Sequence, residues 1–187
     1  VTAIVFDRNK KSLKFDLSTI ALIQLLALAY GVHVMFVARP VYNVFSVGRF
    51  DVVAANEIDA RLLARAKLPE YKSVPLFGPR LVAARMPESA ELRREIMFSS
   101  LAGMDLQHYP ECYLPIDQAN AEMLAASRSA KELLDKHPNT RAGLEVLAAK
   151  LKMPLNTLRY VPMRARSADV VMVLNASGQA IGPVEIL

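Results

Sequence analysis

Between Leu17 and Ala38 the chain runs for 22 residues without a charged side chain, and this run limits every later reading. As a helix rising 1.5 Å per residue it is roughly 33 Å long, against a bilayer hydrocarbon core of about 30 Å. A surface helix of a soluble protein carries one polar face. Here Leu, Ile, Val, Ala and Phe recur all round, and Gln24 and His33 are the strongest polar groups, with Ser18 and Thr19 at the start. The competing reading is a helix buried on every side within a soluble core. The roughly 150 residues that remain are too few to wrap so long a helix completely. The run over 17–38 therefore predicts a transmembrane helix.

Flanking charge orients it. Arg8, Lys10, Lys11 and Lys14 precede the run, against Asp7 and Asp16, while Arg39 alone follows. By the positive-inside rule the front flank is cytoplasmic and the chain after Arg39 lies across the membrane. The opening "VTAIVFD" reads as the end of a preceding membrane helix, so residues 1–16 are expected to be that end plus a basic cytoplasmic loop. A cleaved signal peptide does not fit. Its apolar region is shorter, comes first, and ends in a small-residue cleavage site that "ARPVY" does not supply.

The net charge of +5 adds little beyond this, because residues 1–40 alone hold five cations and two anions. The excess marks topology, not the basic stripe of a nucleic-acid binder, and no basic cluster is interleaved with aromatics. Cys112 is the only cysteine, so packing and not an intrachain disulfide must hold the fold. Residues 41–187 suffice for one domain with its own core.

Within that domain, "VYNVFSV" and "FDVVAA" read as a hairpin about a Gly48–Arg49 turn. A helix capped by Asn56 should place Ile58, Leu62 and Ala66 on one face and stop at Pro69. "RLVAAR" is a further strand. Pro87 suits the first position of a helix running through Leu92, Ile96 and Leu101 to Gly103. "MDLQHYPECYLPI" is irregular. One helix from Asp117 to Pro138 and another from Asn139 or Thr140 to Pro154 follow, and the tail carries two or three strands with "NASGQ" as the last turn. Strands at both ends and helices between predict an α+β domain, an antiparallel sheet with helices packed on one face.

Catalytic motifs are absent: the chain holds no glycine-rich phosphate loop, no H-E-x-x-H, no C-x-x-C and no G-x-S-x-G. The reading is of a protein that is no enzyme, with no catalytic residue, cofactor site or metal site assigned. The densest polar group, Asp105, His108, Glu111 and Cys112, could in principle pair thiol with imidazole or hold a metal. Its spacing matches no known mechanism, and a lone cysteine behaves as a small buried hydrophobe. Glu91, Arg94 and Glu95 read as a solvated helix face. Arg164, Arg166 and Asp169 flank a hairpin, either as cross-strand pairs or as a partner-contact rim. In the membrane run, Gln24, Ala27 and Gly31 fall on one helix face. The small-xxx-small step admits a close helix, and Gln24 can hydrogen-bond across it, whether that helix is intrachain or an external partner's.

"IVFDRNKKSLKFDL", "ALAYG", "VARPVYNVF", "GPRLVAAR" and "RARSADVVMVLNASGQAIG" together resemble the TfpX/TfpZ family of type IV pilin accessory proteins, in order along nearly the whole chain. The resemblance implies a bacterial inner-membrane protein with N-terminal transmembrane helices and a periplasmic C-terminal domain, needed for the stability or assembly of a type IV pilin. It implies no enzymatic activity. The expectation is a chaperone-like factor that meets pilin twice, at its membrane helix through Gln24, Ala27 and Gly31 and at its globular head through the sheet. The sequence assigns no oligomeric state. A membrane-anchored ligand-sensing domain and a periplasmic enzyme using the His108–Cys112 loop are the rival readings.

Overall fold

The computed structural model describes residues 13–166 and 168–186. The chain divides into two compact units, residues 1–39 and residues 40–187. The expected end of a preceding helix falls in residues 1–12, outside the described residues.

Among the described residues, the first unit holds one helix, α1, Leu13–Val37. None of the apolar stretch Lys14–Val37 is buried, and its length and composition suit a membrane span. Thr19 Oγ1 satisfies itself by donating to the Phe15 carbonyl at 2.9 Å. At the far end Arg39 donates to the Phe36 carbonyl at 2.6 Å and lays its guanidinium 3.9 Å over the Phe36 ring. A cation so placed answers the unsatisfied carbonyls of a helix C-terminus.

The second unit is α+β, as the strand–helix–strand order predicts. Its strands are β1 Pro40–Ser46, β2 Arg49–Ala54, β3 Arg80–Ala84, β4 Tyr113–Pro115, β5 Arg128–Ser129, β6 Arg159–Arg164, β7 Asp169–Leu174 and β8 Ala180–Glu185. Its helices are α2 Ala60–Ala64, α3 Ala90–Ser100, α4 Asn120–Ala126, α5 Ala130–Lys136 and α6 Arg141–Leu151. The sheet runs β4-β3-β1-β2-β6-β7-β8, with β5 added on β6. The local pairs β1–β2, β6–β7 and β7–β8 are antiparallel hairpins. Two junctions are parallel, β1–β3 and β2–β6, so the sheet is mixed. The second of these, Phe50 with Met163 and Asp51 with Arg164, joins the two halves of the sheet.

Alternation along the strands sorts the core. Phe45, Phe50, Ala83, Val161, Met163, Met172 and Leu174 share one face with Ala119 and with Met123 of α4. On the other face, Tyr42, Val44, Val53 and Val82 meet Leu62 of α2 and Ile96 of α3. Beside them Tyr160, Val171, Val173 and Val184 meet Leu133 of α5 and Leu144 and Ala148 of α6. Four helices thus cover one face and α4 lies against the other. At Gly143 of α6 a Cβ would lie 2.9 Å from Val184, so glycine sets how closely this helix approaches β8.

Four local features depart from the sequence reading. Pro87 does not open α3; Ser89 caps it, accepting from the Leu92 N–H at 3.4 Å. The β1–β2 turn is Val47–Gly48, one residue earlier than expected, with φ of +46° and +79°. A two-residue turn that follows strand twist needs positive φ at both central residues. Gly48 adopts this freely, whereas the β-branched Val47 does so under strain. Asp59 and not Asn56 caps α2, accepting from the Arg61 N–H at 2.7 Å. The expected helix over 117–138 is broken. Residues 128–129 pair with β6, Arg159 donates to the Ser127 hydroxyl at 2.6 Å and carbonyl at 3.0 Å, and Ser129 caps α5.

Candidate functional site

The residues singled out in the sequence fall at separate places. On α1, Gln24, Ala27 and Gly31 share a wholly unburied helix. A Cβ at Gly31 would meet nothing within 4 Å. Gln24 has no hydrogen-bond partner among the described residues, in contrast to Thr19 with its backbone bond. An amide in hydrocarbon is costly until a second helix supplies a partner.

The loop around the thiol is divided. His108 accepts from the Asp105 N–H through Nδ1 at 3.1 Å, which fixes its ring within a tight turn. It faces a polar cleft of about 430 Å³. Cys112 lines a different cavity, of about 710 Å³, with Glu95 and Glu111. There Arg65 grips both Glu95 oxygens at 2.8 and 3.0 Å and reaches Glu111 at 2.8 Å. The Arg65 hydrogen bond holds the Glu95 carboxyl below its usual range. Burial, with the Glu95 charge, leaves the Glu111 carboxyl raised although Arg65 stands beside it. Burial, aided by the Glu111 charge, pushes the Cys112 thiol up to about 11. A thiol there is protonated at neutral pH, the opposite of an activated nucleophile, and no hydrogen bond joins it to His108 among the described residues. Among the described residues no set of three or more His, Cys, Asp or Glu side chains is arranged to hold a metal ion.

Of the hairpin residues, Arg164 and Arg166 line the polar cleft and Asp169 does not. Arg164 stands opposite Asp169 in the β6–β7 ladder, but no ion pair joins the two among the described residues. Arg166 instead pairs with Glu57, whose other oxygen accepts from the Ala54 N–H at 2.6 Å. Buried Asp51 pairs with Arg49 at 3.0 Å. Arg164 and Arg166, both exposed, thus form a cationic rim to a cleft whose floor is Asp51, Asp105 and His108.

Across Asp105 and Gln107 lies a second, apolar cleft of about 380 Å³ that the sequence reading missed. Val47, Met86, Ile96 and Met97 line it. Only Ile96 of these is buried; Val47 is 87% and Met97 66% exposed, with Phe98 and Leu101 exposed nearby on the chain. The signal was present in α3 and its C-cap, where Met97, Phe98 and Leu101 exceed what one inward stripe uses. Exposed apolar side chains grouped about a cleft mark an interaction surface. Polar cleft and apolar cleft adjoin through Asp105 and Gln107, which line both.

No protein-family model and no solved structure matches the chain significantly. Two curated proteins do. It is 27% identical over 187 residues to a fimbrial assembly protein of Dichelobacter nodosus serogroup I, covering 97% of this chain and 72% of that protein. A second fimbrial assembly protein of the same organism, from another serogroup, is 25% identical with the same coverage.

Proposed function

We propose that this chain is a membrane-anchored factor for assembly of type IV fimbriae, of the TfpX/TfpZ kind, acting as a chaperone-like binding protein and not as an enzyme. The observation that carries the proposal is similarity along 97% of the chain, span and domain together, to proteins named for fimbrial assembly. The unburied helix α1 supports a seat in the bacterial inner membrane. The four cations Arg8, Lys10, Lys11 and Lys14 before the span, against Arg39 alone at its far end, support a periplasmic domain.

In this reading pilin is met at two points. Gln24, Ala27 and Gly31 receive the apolar helix of a pilin still in the membrane. The adjoining clefts, with Val47 and Met97 on one side and Arg164 and Arg166 on the other, receive its globular head. Neither contact needs bond chemistry, and the protonated Cys112 is consistent with that. Affinity capture of the full-length protein from fimbriated cells tests the reading. It predicts that the fimbrial subunit co-purifies and that a deletion strain loses surface fimbriae. Normal fimbriation of the deletion strain would overturn it.

A further inference from the structure

The loop between α2 and β3 projects Leu76 and Phe77, 64% and 91% exposed, beside Gly78 at φ +55°. Single exposed apolar residues are ordinary. This adjacent pair differs in its mounting and its position. Below the tip, Tyr71 stacks edge-on with Tyr42 and Tyr113, at ring separations of 6.3 and 5.7 Å. The Tyr42 hydroxyl donates to the Ser73 carbonyl at 3.1 Å, and Arg80 donates to the Glu70 carbonyl at 3.3 Å. Val74 packs on the core. The base of the loop is fixed and only its tip stands free.

Position follows from register. Strands β1 and β3 are parallel, with Tyr42 opposite Arg80. The segments leading into both strands therefore leave the sheet at the same end. The one leading into β1 comes directly from α1, since Val37 precedes Pro40 by three residues, a tether of at most about 10 Å. The tether is covalent, so the start of β1 lies within about 10 Å of the end of α1. Lys72 and Arg80 are exposed beside the tip, and Lys72 has no ion-pair partner among the described residues.

We propose that the Leu76–Phe77 tip inserts into the headgroup boundary of the membrane that α1 spans, with Lys72 and Arg80 available to lipid phosphates. The domain is then seated on the bilayer at a second point. An apolar tip flanked by cations is the chemistry of interfacial anchoring. The proposal rests on α1 spanning the membrane.

The chain contains no tryptophan, so one substitution gives a sole indole reporter. The 187-residue chain carrying Phe77→Trp, Met97→Trp or Tyr30→Trp is reconstituted into vesicles of zwitterionic lipid with a minor anionic fraction. Lipids brominated just below the headgroup or deep in the acyl chain serve as quenchers. The Phe77→Trp indole should emit blue-shifted and lose intensity to the shallow quencher, while the Met97→Trp indole, in the apolar cleft, loses none. The Tyr30→Trp indole should respond to the deep quencher. If Tyr30→Trp responds but Phe77→Trp emits as in water and is unquenched, the seating proposal is wrong and the span stands. Blue-shifted emission that no lipid quenches would mean protein covers the tip, and also overturns it. Failure of Tyr30→Trp to respond would remove the span and this proposal together.

Discussion

Gly178, in the β7–β8 turn, lies so close to α4 that a Cβ on it would stand 2.3 Å from the Asn120 carbonyl oxygen. Its φ of +82° adds a second reason for glycine. The turn is built by Asn175, whose Oδ1 accepts from the N–H groups of Ser177 at 3.0 Å and Gln179 at 2.9 Å. The last hairpin and α4 therefore dock through backbone. Gly178→Ala should cost about 3 kcal/mol, combining backbone strain with overpacking. Gly103, at φ +85° with nothing near its Cβ position, ends the α3 segment through the Met104 N–H to Ser99 carbonyl bond at 3.0 Å. Gly103→Ala should cost only about 1 kcal/mol. Denaturant midpoints of the two variants check the ranking; equal losses would contradict it.

Burial of Cys112 predicts an alkaline limb of stability. The folded thiol is raised to about 11 from an ordinary 9.0. A group raised on folding stabilises fully below its unfolded value and loses that contribution as pH rises through the folded one. Between pH 9 and 11 the parent should therefore lose about 2 kcal/mol on account of this group. Cys112→Ala should lack that part of the decline, leaving the limb due to Tyr42, Tyr71 and Tyr113, also raised by burial. Melting curves across this range check it. A gap between parent and variant that stays constant with pH would contradict it.

The Arg65 cluster should outweigh other ion pairs. The Glu111 side chain is only 12% exposed and relies on Arg65. Arg65→Met leaves that carboxylate without its cation, at a cost of about 2 kcal/mol, below the value for a fully buried pair because Arg65 itself is 41% exposed. Arg85→Met breaks a pair that is 55% exposed on both sides and should cost under about 1 kcal/mol. Adding Glu111→Gln to Arg65→Met should restore part of the loss. Unfolding free energies of the three variants test this.

How much of this was legible depends on the range of the interaction. The α1 run was, because 22 uncharged residues leave few physical options. So was the last turn, since Asn175 builds it locally. The break at Ser127–Ser129 was missed although Ser129 and Glu132 stand at capping-box spacing. The apolar spacing of Met123, Ala126, Ala130 and Leu133 hid it, and its cause, Arg159 bonding Ser127, lies 32 residues away. The parallel joins β1–β3 and β2–β6 are tertiary too, and no residue pattern within either strand encodes the neighbour. The apolar cleft is not legible because its walls, Val47 of the first hairpin, Met86 and Met97 of α3, come together only through the fold.

If the clefts receive the pilin head, charging the apolar one should disable the protein without unfolding it. Val47 and Met97 are 87% and 66% exposed, so Val47→Asp and Met97→Asp should each change stability by less than about 1 kcal/mol. Surface fimbriae should nevertheless fall markedly at unchanged protein level. Lys131→Asp, on the exposed side of α5, serves as the charge control. Full fimbriation in both cleft variants would remove this surface from the account.

The most direct test of the central claim places a photo-crosslinking side chain on α1 in fimbriated cells. Positions 27 and 31 lie on the Gln24 face, and positions 22 and 26 on the opposite one. The account predicts adducts with the fimbrial subunit from positions 27 and 31 and few from 22 and 26, and loss of fimbriae in Ala27→Leu and Gly31→Leu proteins that still insert. Equal adducts from both faces, or no adduct with the subunit from any position, would contradict it.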